Sequence, residues 1–317
     1  MTPANWALLV ATAASFASSV VLNKMLVGEL PPLTLAAARV LLALPFCLLA
    51  LLLPGARLPR GRDDRLTVLK VSLGVITIPY CALAIGQQTI AGGLSGILYS
   101  TMPLFTLLAA HLMLPDEKLG TRKLVGIGFG MAGVVAVIGP SLLGGLGGHL
   151  FGELVTLLGP LAYAIATVLM RRSRHLEPVG LTAGLFLAAA LVLVPVALVV
   201  DRPWTLDVDA SILGGLLALA VVGTIFPAAL NYLLLQRVGA TRASLGMFLM
   251  PFFAIAFGAL FLDERLGAGA FAGLALIVAG SRLVTHLPQP RVEQSRTSQP
   301  HAPQGHPAGV TLGPSKG

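Results

Sequence analysis

The sequence predicts an all-α membrane protein whose ten transmembrane helices form two inverted five-helix repeats. Three observations predict it: an apolar composition, a series of apolar runs of membrane-spanning length, and motifs that recur at a period of 147–148 residues. The chain has 317 residues, 56% hydrophobic and 11% charged, with mean hydropathy +0.88. Soluble domains carry about 25% charged residues, so a single soluble core of this size would expose a wide apolar surface to water. That balance excludes a soluble enzyme, a nucleic-acid-binding module and a disordered polar chain. The net charge of +8 does not point to a polyanion partner, because the basic residues cluster between apolar runs.

A helix needs roughly 20 apolar residues to cross the hydrocarbon layer. The qualifying runs are 4–26, 33–54, 66–87, 91–114, 121–139, 150–171, 178–200, 211–235, 241–262 and 268–286. The first has no Lys or Arg ahead of it. A charged leading region marks a cleaved signal, so this run reads as helix one. Charge or Pro/Gly punctuation bounds the others: Pro31-Pro32, the stretch Pro54 to Arg65, Gly144 to Gly148, and Asp201 to Asp209.

With the N-terminus cytoplasmic, seventeen of the 21 basic residues fall on the cytoplasmic side. Lys24, Arg39, Arg202 and Arg265 are the other four. Positive residues favour the inside, which predicts an inner-membrane chain with both termini cytoplasmic. From about His286 the sequence turns polar and rich in Pro, Gln, Ser and Gly, so 287–317 reads as a disordered cytoplasmic tail. The tail histidines are too irregularly spaced for a metal site. Cys47 and Cys81 lie inside apolar runs as packing residues. Neither a metal nor a cofactor is expected.

The repeat is the strongest signal. Asp116-Glu117-Lys118-Leu119-Gly120 recurs as Asp263-Glu264-Arg265-Leu266-Gly267, and Gly126 and Gly133 recur as Gly273 and Gly280. Pro103 pairs with Pro251, Pro79 with Pro227, Pro31 with Pro178, and Lys24 with Arg171. This divides the chain into a first five-helix repeat at 1–140 and a second at 141–286. Five is odd, so the second unit enters the membrane from the opposite side. Inverted repeats are an architecture of secondary transporters.

These residues resemble the drug/metabolite transporter superfamily, in its ten-helix EamA-type branch. The resemblance rests on the proline-bearing fourth and ninth helices followed by an acidic pair and Leu-Gly (Pro103 to Gly120, Pro251 to Gly267), the glycine-rich fifth and tenth helices, Arg39, and Asn23-Lys24. It covers about residues 4–286. Trp6-Ala7 departs from the Trp-Gly usual at the start of helix one. The resemblance implies a carrier and leaves its substrate open; export rather than import rests on it alone.

Polar groups inside a bilayer are costly and tend to face protein or water. Helix one aligns Thr12, Ser15, Ser19 and Asn23 on one face. Tyr80 and Gln87 on helix three, Tyr99 on helix four, Tyr163 and Thr167 on helix six, Asn231 on helix eight and Ser244 on helix nine complete a predicted cavity. Helices 1, 3 and 4 map onto 6, 8 and 9 under the repeat. Pro79, Pro103, Pro160, Pro227 and Pro251 lie on these same helices and predict bends. Lys24 is a candidate contact for an anionic group, the alternative being snorkelling to the headgroups. Glu153 is a candidate proton carrier. Arg39 lies on helix two, outside the cavity set, and is expected to hold structure together. The acidic pairs suffice as N-terminal caps for helices five and ten. Gly126/Gly130 and Gly269/Gly273 form GxxxG faces for close helix packing or for pairing as a homodimer.

The sequence therefore predicts a secondary-active carrier of a small-molecule substrate, exporting a metabolite such as an amino acid by alternating access. Import or exchange of sugars, nucleotides or sugar phosphates is the runner-up. No P-loop is present, so a gradient or exchange is the expected driving force. An enzyme is not expected: His111 and Asp116 have an acyltransferase-like spacing, but no second catalytic motif follows.

Overall fold

The computed structural model describes residues 1–114, 120–143, 148–170, 176–239, 243 and 245–285. Met1–His286 forms one compact unit. Among the described residues the helical segments follow in this order: α1 Pro3–Leu26, α2 Pro32–Leu49, α3 Arg62–Gly86, α4 Gly92–Met113, α5 Thr121–Leu143, α6 Gly148–Met170, α7 Pro178–Val200, α8 Ala210–Val238, α9 Leu245–Leu262 and α10 Ala268–Thr285. Among the described residues, α1 to α8 are long and apolar enough to cross a bilayer, while α9 and α10 hold shorter apolar stretches, Phe248–Leu262 and Ala268–Leu283. The expected tail lies outside the described residues, as does the first part of the run at 241–262 except Ala243.

Local chemistry sets the helix ends. Pro3, Pro32 and Pro178 each open a helix, where a missing N–H costs nothing. Thr2 caps α1 through Asn5 N, and Asp209 caps α8 through Ile212 N. α3 starts at Arg62, four residues ahead of the apolar run, because Asp63 and Asp64 in its first turn suit the positive end of the helix dipole. α2 closes with a 3-10 turn at Ala50–Leu52.

Two helices carry a matching defect. α3 widens to a π-turn at Leu73–Thr77 and α8 does so at Val221–Ile225, at the repeat spacing. Pro79 and Pro227 follow two residues after these turns. A proline has no N–H to give and crowds the carbonyl four residues back; a π-turn widens the backbone there. The other prolines differ. α4 is interrupted at Ser100–Thr101, directly before Pro103, whereas α9 runs unbroken through Pro251. Ser100 and Thr101 donate their hydroxyls to Ile97 O and Leu98 O, competing with the helix. Phe248 and Leu249 hold the equivalent places in α9 and cannot. Pro160 sits within continuous α6.

The helices pack in sets that exchange when the two halves are exchanged. α1 packs on α9 as α6 packs on α4, and α1 on α8 as α6 on α3. α2 packs on α7, α4 on α9 and α5 on α10, each helix against its own repeat mate. Where α2 meets α7, the small faces Ala36, Ala37, Val40 and Ala43 bury against Ala189, Leu193 and Ala197. The outer surface is apolar: Val199 is 75% exposed and Leu112 74%, which suits contact with acyl chains.

Candidate functional site

Two buried polar layers cross the helix interfaces. The first lies where α1 ends and α4 begins. Asn23 Nδ2 donates to Gln87 Oε1 at 2.8 Å, and Gln87 Nε2 donates to Val20 O at 3.0 Å. Gln87 has no exposed surface and Asn23 almost none, so each amide finds a partner it cannot obtain from water. Lys24 Nζ donates to Gln87 O at 2.5 Å and feels the charge of Glu264.

Glu264 is the hinge of this layer. Its Oε1 accepts from Gly92 N at 2.5 Å and its Oε2 from Gly93 N at 2.8 Å. It therefore caps α4, in the other half of the chain, and not α10 as its place in the sequence predicts. Ala91, at the N-cap position of α4, has no side-chain acceptor to offer, so a carboxylate from elsewhere takes the role. Asp263 adopts a left-handed backbone (φ 52°), and Glu264 N returns to Gly258 O at 3.1 Å. A Cβ on Gly258 would lie 2.5 Å from Glu264 Oε2, so a side chain there would push the carboxylate off the α4 cap. The equivalent pair Asp116/Glu117 lies outside the described residues.

The second layer centres on Arg39, 4% exposed. Its Nε donates to Thr224 Oγ1 at 2.8 Å, and its Nη2 to Ser19 Oγ at 2.6 Å and Gly223 O at 3.0 Å. Its guanidinium carbon lies 3.9 Å from the centre of the Tyr80 ring, in cation–π range. The π-turn of α8 presents Gly223 and Thr224 to this group. Helix two thus delivers its arginine among α1, α3 and α8, although it carries little else that is polar. An ionisable residue deep in an apolar run was the signal available in the sequence.

The other expected residues are placed as follows. Tyr99 donates to Pro79 O at 2.8 Å, using a carbonyl just past the π-turn of α3. Thr167 bonds back to Tyr163 O at 2.8 Å within α6, the local pattern typical of packing. Tyr163, Asn231 and Tyr80 are half-buried. Glu153 is buried on α6. Thr77 and Thr156 bury hydroxyls that have no hydrogen-bond partner among the described residues. Ser244 lies outside the described residues. The glycine faces meet within the chain: α5 and α10 touch at Gly126–Gly280 and Gly133–Gly273.

Away from these layers, a groove of about 780 Å³ runs between the loop after α2 and α7, lined by Arg57, Arg60, Leu58, Leu187 and Leu191 among others. None of the expected cavity residues line it. Glu177 caps α7 by accepting from Val179 N at 2.8 Å and Gly180 N at 2.6 Å. These bonds, with one from the Arg57 backbone, hold its carboxyl below the usual glutamate range.

Comparison with known proteins agrees with this architecture. The model of the EamA-like transporter family matches twice, over residues 5–139 and 150–286. An uncharacterized inner membrane transporter, YedA of Escherichia coli K12, is 31% identical over 80% of this chain and 82% of its own. The uncharacterized transporter YoaV of Bacillus subtilis is 24% identical over 81% and 88%. An uncharacterized transporter of Archaeoglobus fulgidus is 26% identical over 88% and 96%. A solved crystal structure shares the fold at TM-score 0.62, with 20% identity over 90% of this chain and 98% of that one.

Proposed function

The chain belongs to the EamA-like transporter family, and from that premise we propose a secondary-active inner-membrane carrier that exports a small metabolite, such as an amino acid, by alternating access. It acts through ten spanning helices in two inverted halves, with both termini cytoplasmic. The observation that carries this reading is the pairing of repeat mates. Gly126 faces Gly280 and Gly133 faces Gly273, so residue numbers rise along α5 as they fall along α10. The repeat offset converts one contact into the other. A two-fold axis lying in the membrane plane would produce such pairs, and halves related in that way can exchange inward-open and outward-open shapes at similar energy. The double match of the family model supports the same division.

The two polar layers mark where substrate would pass, at the junction of helices from both halves. Glu153, a buried carboxylate on α6, is the proton carrier in this reading.

Counterflow by the purified protein in liposomes, against amino-acid and sugar panels at set pH gradients, tests it. Amino-acid exchange supports the reading. Preferred exchange of sugars, nucleotides or sugar phosphates replaces the substrate class while keeping the carrier. Tags at Asp116 and Asp263 should map to opposite sides of the membrane, and finding both on one side would end the inverted arrangement.

A further inference from the structure

Resting on the carrier reading above, we propose that Arg39 is the site that recognises the charge of the substrate, taking a small acid through its single carboxylate. A buried guanidinium keeps its positive charge, and burying a charge is expensive unless an opposite charge meets it. Arg39 has three N–H donors in use, and its acceptors are two hydroxyls and a carbonyl. All three are neutral. Among the described residues no Asp or Glu bonds to it, and its Nη1 amino group has no protein acceptor. The chain therefore occupies Nε and Nη2 and leaves the two N–H groups of Nη1 and a full charge unanswered. Ionisable residues at this depth pair with one another or with backbone carbonyls, and Arg39 has a single carbonyl, that of Gly223, for its whole guanidinium.

The surroundings select the kind of anion. The Tyr80 ring covers one guanidinium face. Tyr99 is close enough to interact electrostatically with both Arg39 and Tyr80, and Tyr163 with Tyr80. The hydroxyls of Tyr80 and Tyr163 make no hydrogen bond to the protein among the described residues. They supply neutral polar contacts without a second cation. Lys24, the other basic residue near the polar layers, is engaged by Gln87 O and Glu264. One cation balances one negative charge, so a monocarboxylate gives a neutral buried pair, whereas a phosphate monoester would leave surplus negative charge in the bilayer. The two N–H groups of Nη1 can give a carboxylate oxygen charge-assisted hydrogen bonds. Ser19, Thr224 and Gly223 belong to α1 and α8, from opposite halves. An anion at Arg39 thus binds where the two halves meet, as a carrier's substrate must.

The test uses the full chain in liposomes, with alanine, lactate and pyruvate as acids, lactamide and pyruvamide as uncharged counterparts, alaninamide as a cationic one, and glycerol phosphate. Counterflow of at least one acid, with its amide excluded, is expected. Arg39→Gln should weaken acid binding about tenfold or more, and Arg39→Lys should recover part of it. Phenylglyoxal labelling of the unaltered protein, read by peptide mass spectrometry, removes any dependence on how the variants fold. Transported acid should protect Arg39 and leave Arg57 and Arg60 labelled as before. Acid binding unchanged in Arg39→Gln, preference for the amides or for glycerol phosphate, or Arg39 that stays unlabelled or unprotected would each overturn the assignment and leave the carrier standing. Counterflow of no solute in this panel or in the amino-acid and sugar panels would overturn both.

Discussion

Gly133 and Gly273 meet backbone to backbone. A Cβ on Gly273 would lie 2.6 Å from the Gly133 carbonyl oxygen, and one on Gly133 would lie 2.7 Å from that of Gly273. Side chains there would push α5 and α10 apart, so the contact between repeat mates exists only because both residues are glycine. Gly126, Gly130 and Gly273 of the GxxxG faces read in the sequence lie in this intramolecular seam.

Gly273→Val should therefore lower stability by about 1–3 kcal/mol, the usual cost of overpacking a tight interface. Thermal unfolding in detergent measures it. Gly267→Val, where a Cβ meets nothing within 4 Å, is the control and should leave the midpoint nearly unchanged.

Glu264→Gln keeps the shape of the α4 cap and removes its charge. Hydrogen bonds to charged groups are worth about 1.5–3 kcal/mol, so the closure between Gly92-Gly93 and Lys24 should weaken. Cysteine labelling at an introduced Gly92→Cys should quicken in this variant. An unchanged labelling rate would show that the contact does not hold the end of the bundle closed.

Asn23→Ala strips Gln87 Oε1 of its donor inside the protein, and a stranded buried acceptor costs about 1–3 kcal/mol. Counterflow should fall in Asn23→Ala and in Asn231→Ala. Transport equal to the parent in both would remove these residues from the passage.

Glu177 provides a pH handle outside the membrane spans. Its carboxyl is held below the usual value of 4.5 by the backbone N–H groups of Val179, Gly180 and Arg57. A depressed folded value means the contribution is fully present above the unfolded value and is lost as pH falls through the folded one. Below about pH 4.5 the parent should lose stability more steeply than Glu177→Gln, and parallel acid limbs in denaturation curves would refute the cap.

The sequence by itself determined that the chain is a bundle of apolar helices in two related halves, because spanning length and motif period are properties of residue order. It also nominated the Asn23 and Gln87 amides and Ser19 as lining a cavity, since helical spacing fixes which residues share a face, and the fold buries all three. Only the tertiary structure decided their partners. Arg39 read as a structural residue on an apolar helix, and the fold brings it to Ser19 and Thr224 from two other helices. Glu264 read as the cap of the helix that follows it, and the fold hands it to Gly92 and Gly93, 172 and 171 residues away. The reason is physical: a local pattern records the face a side chain occupies, whereas an unpaired charge or helix end takes whichever group packing brings within hydrogen-bond reach.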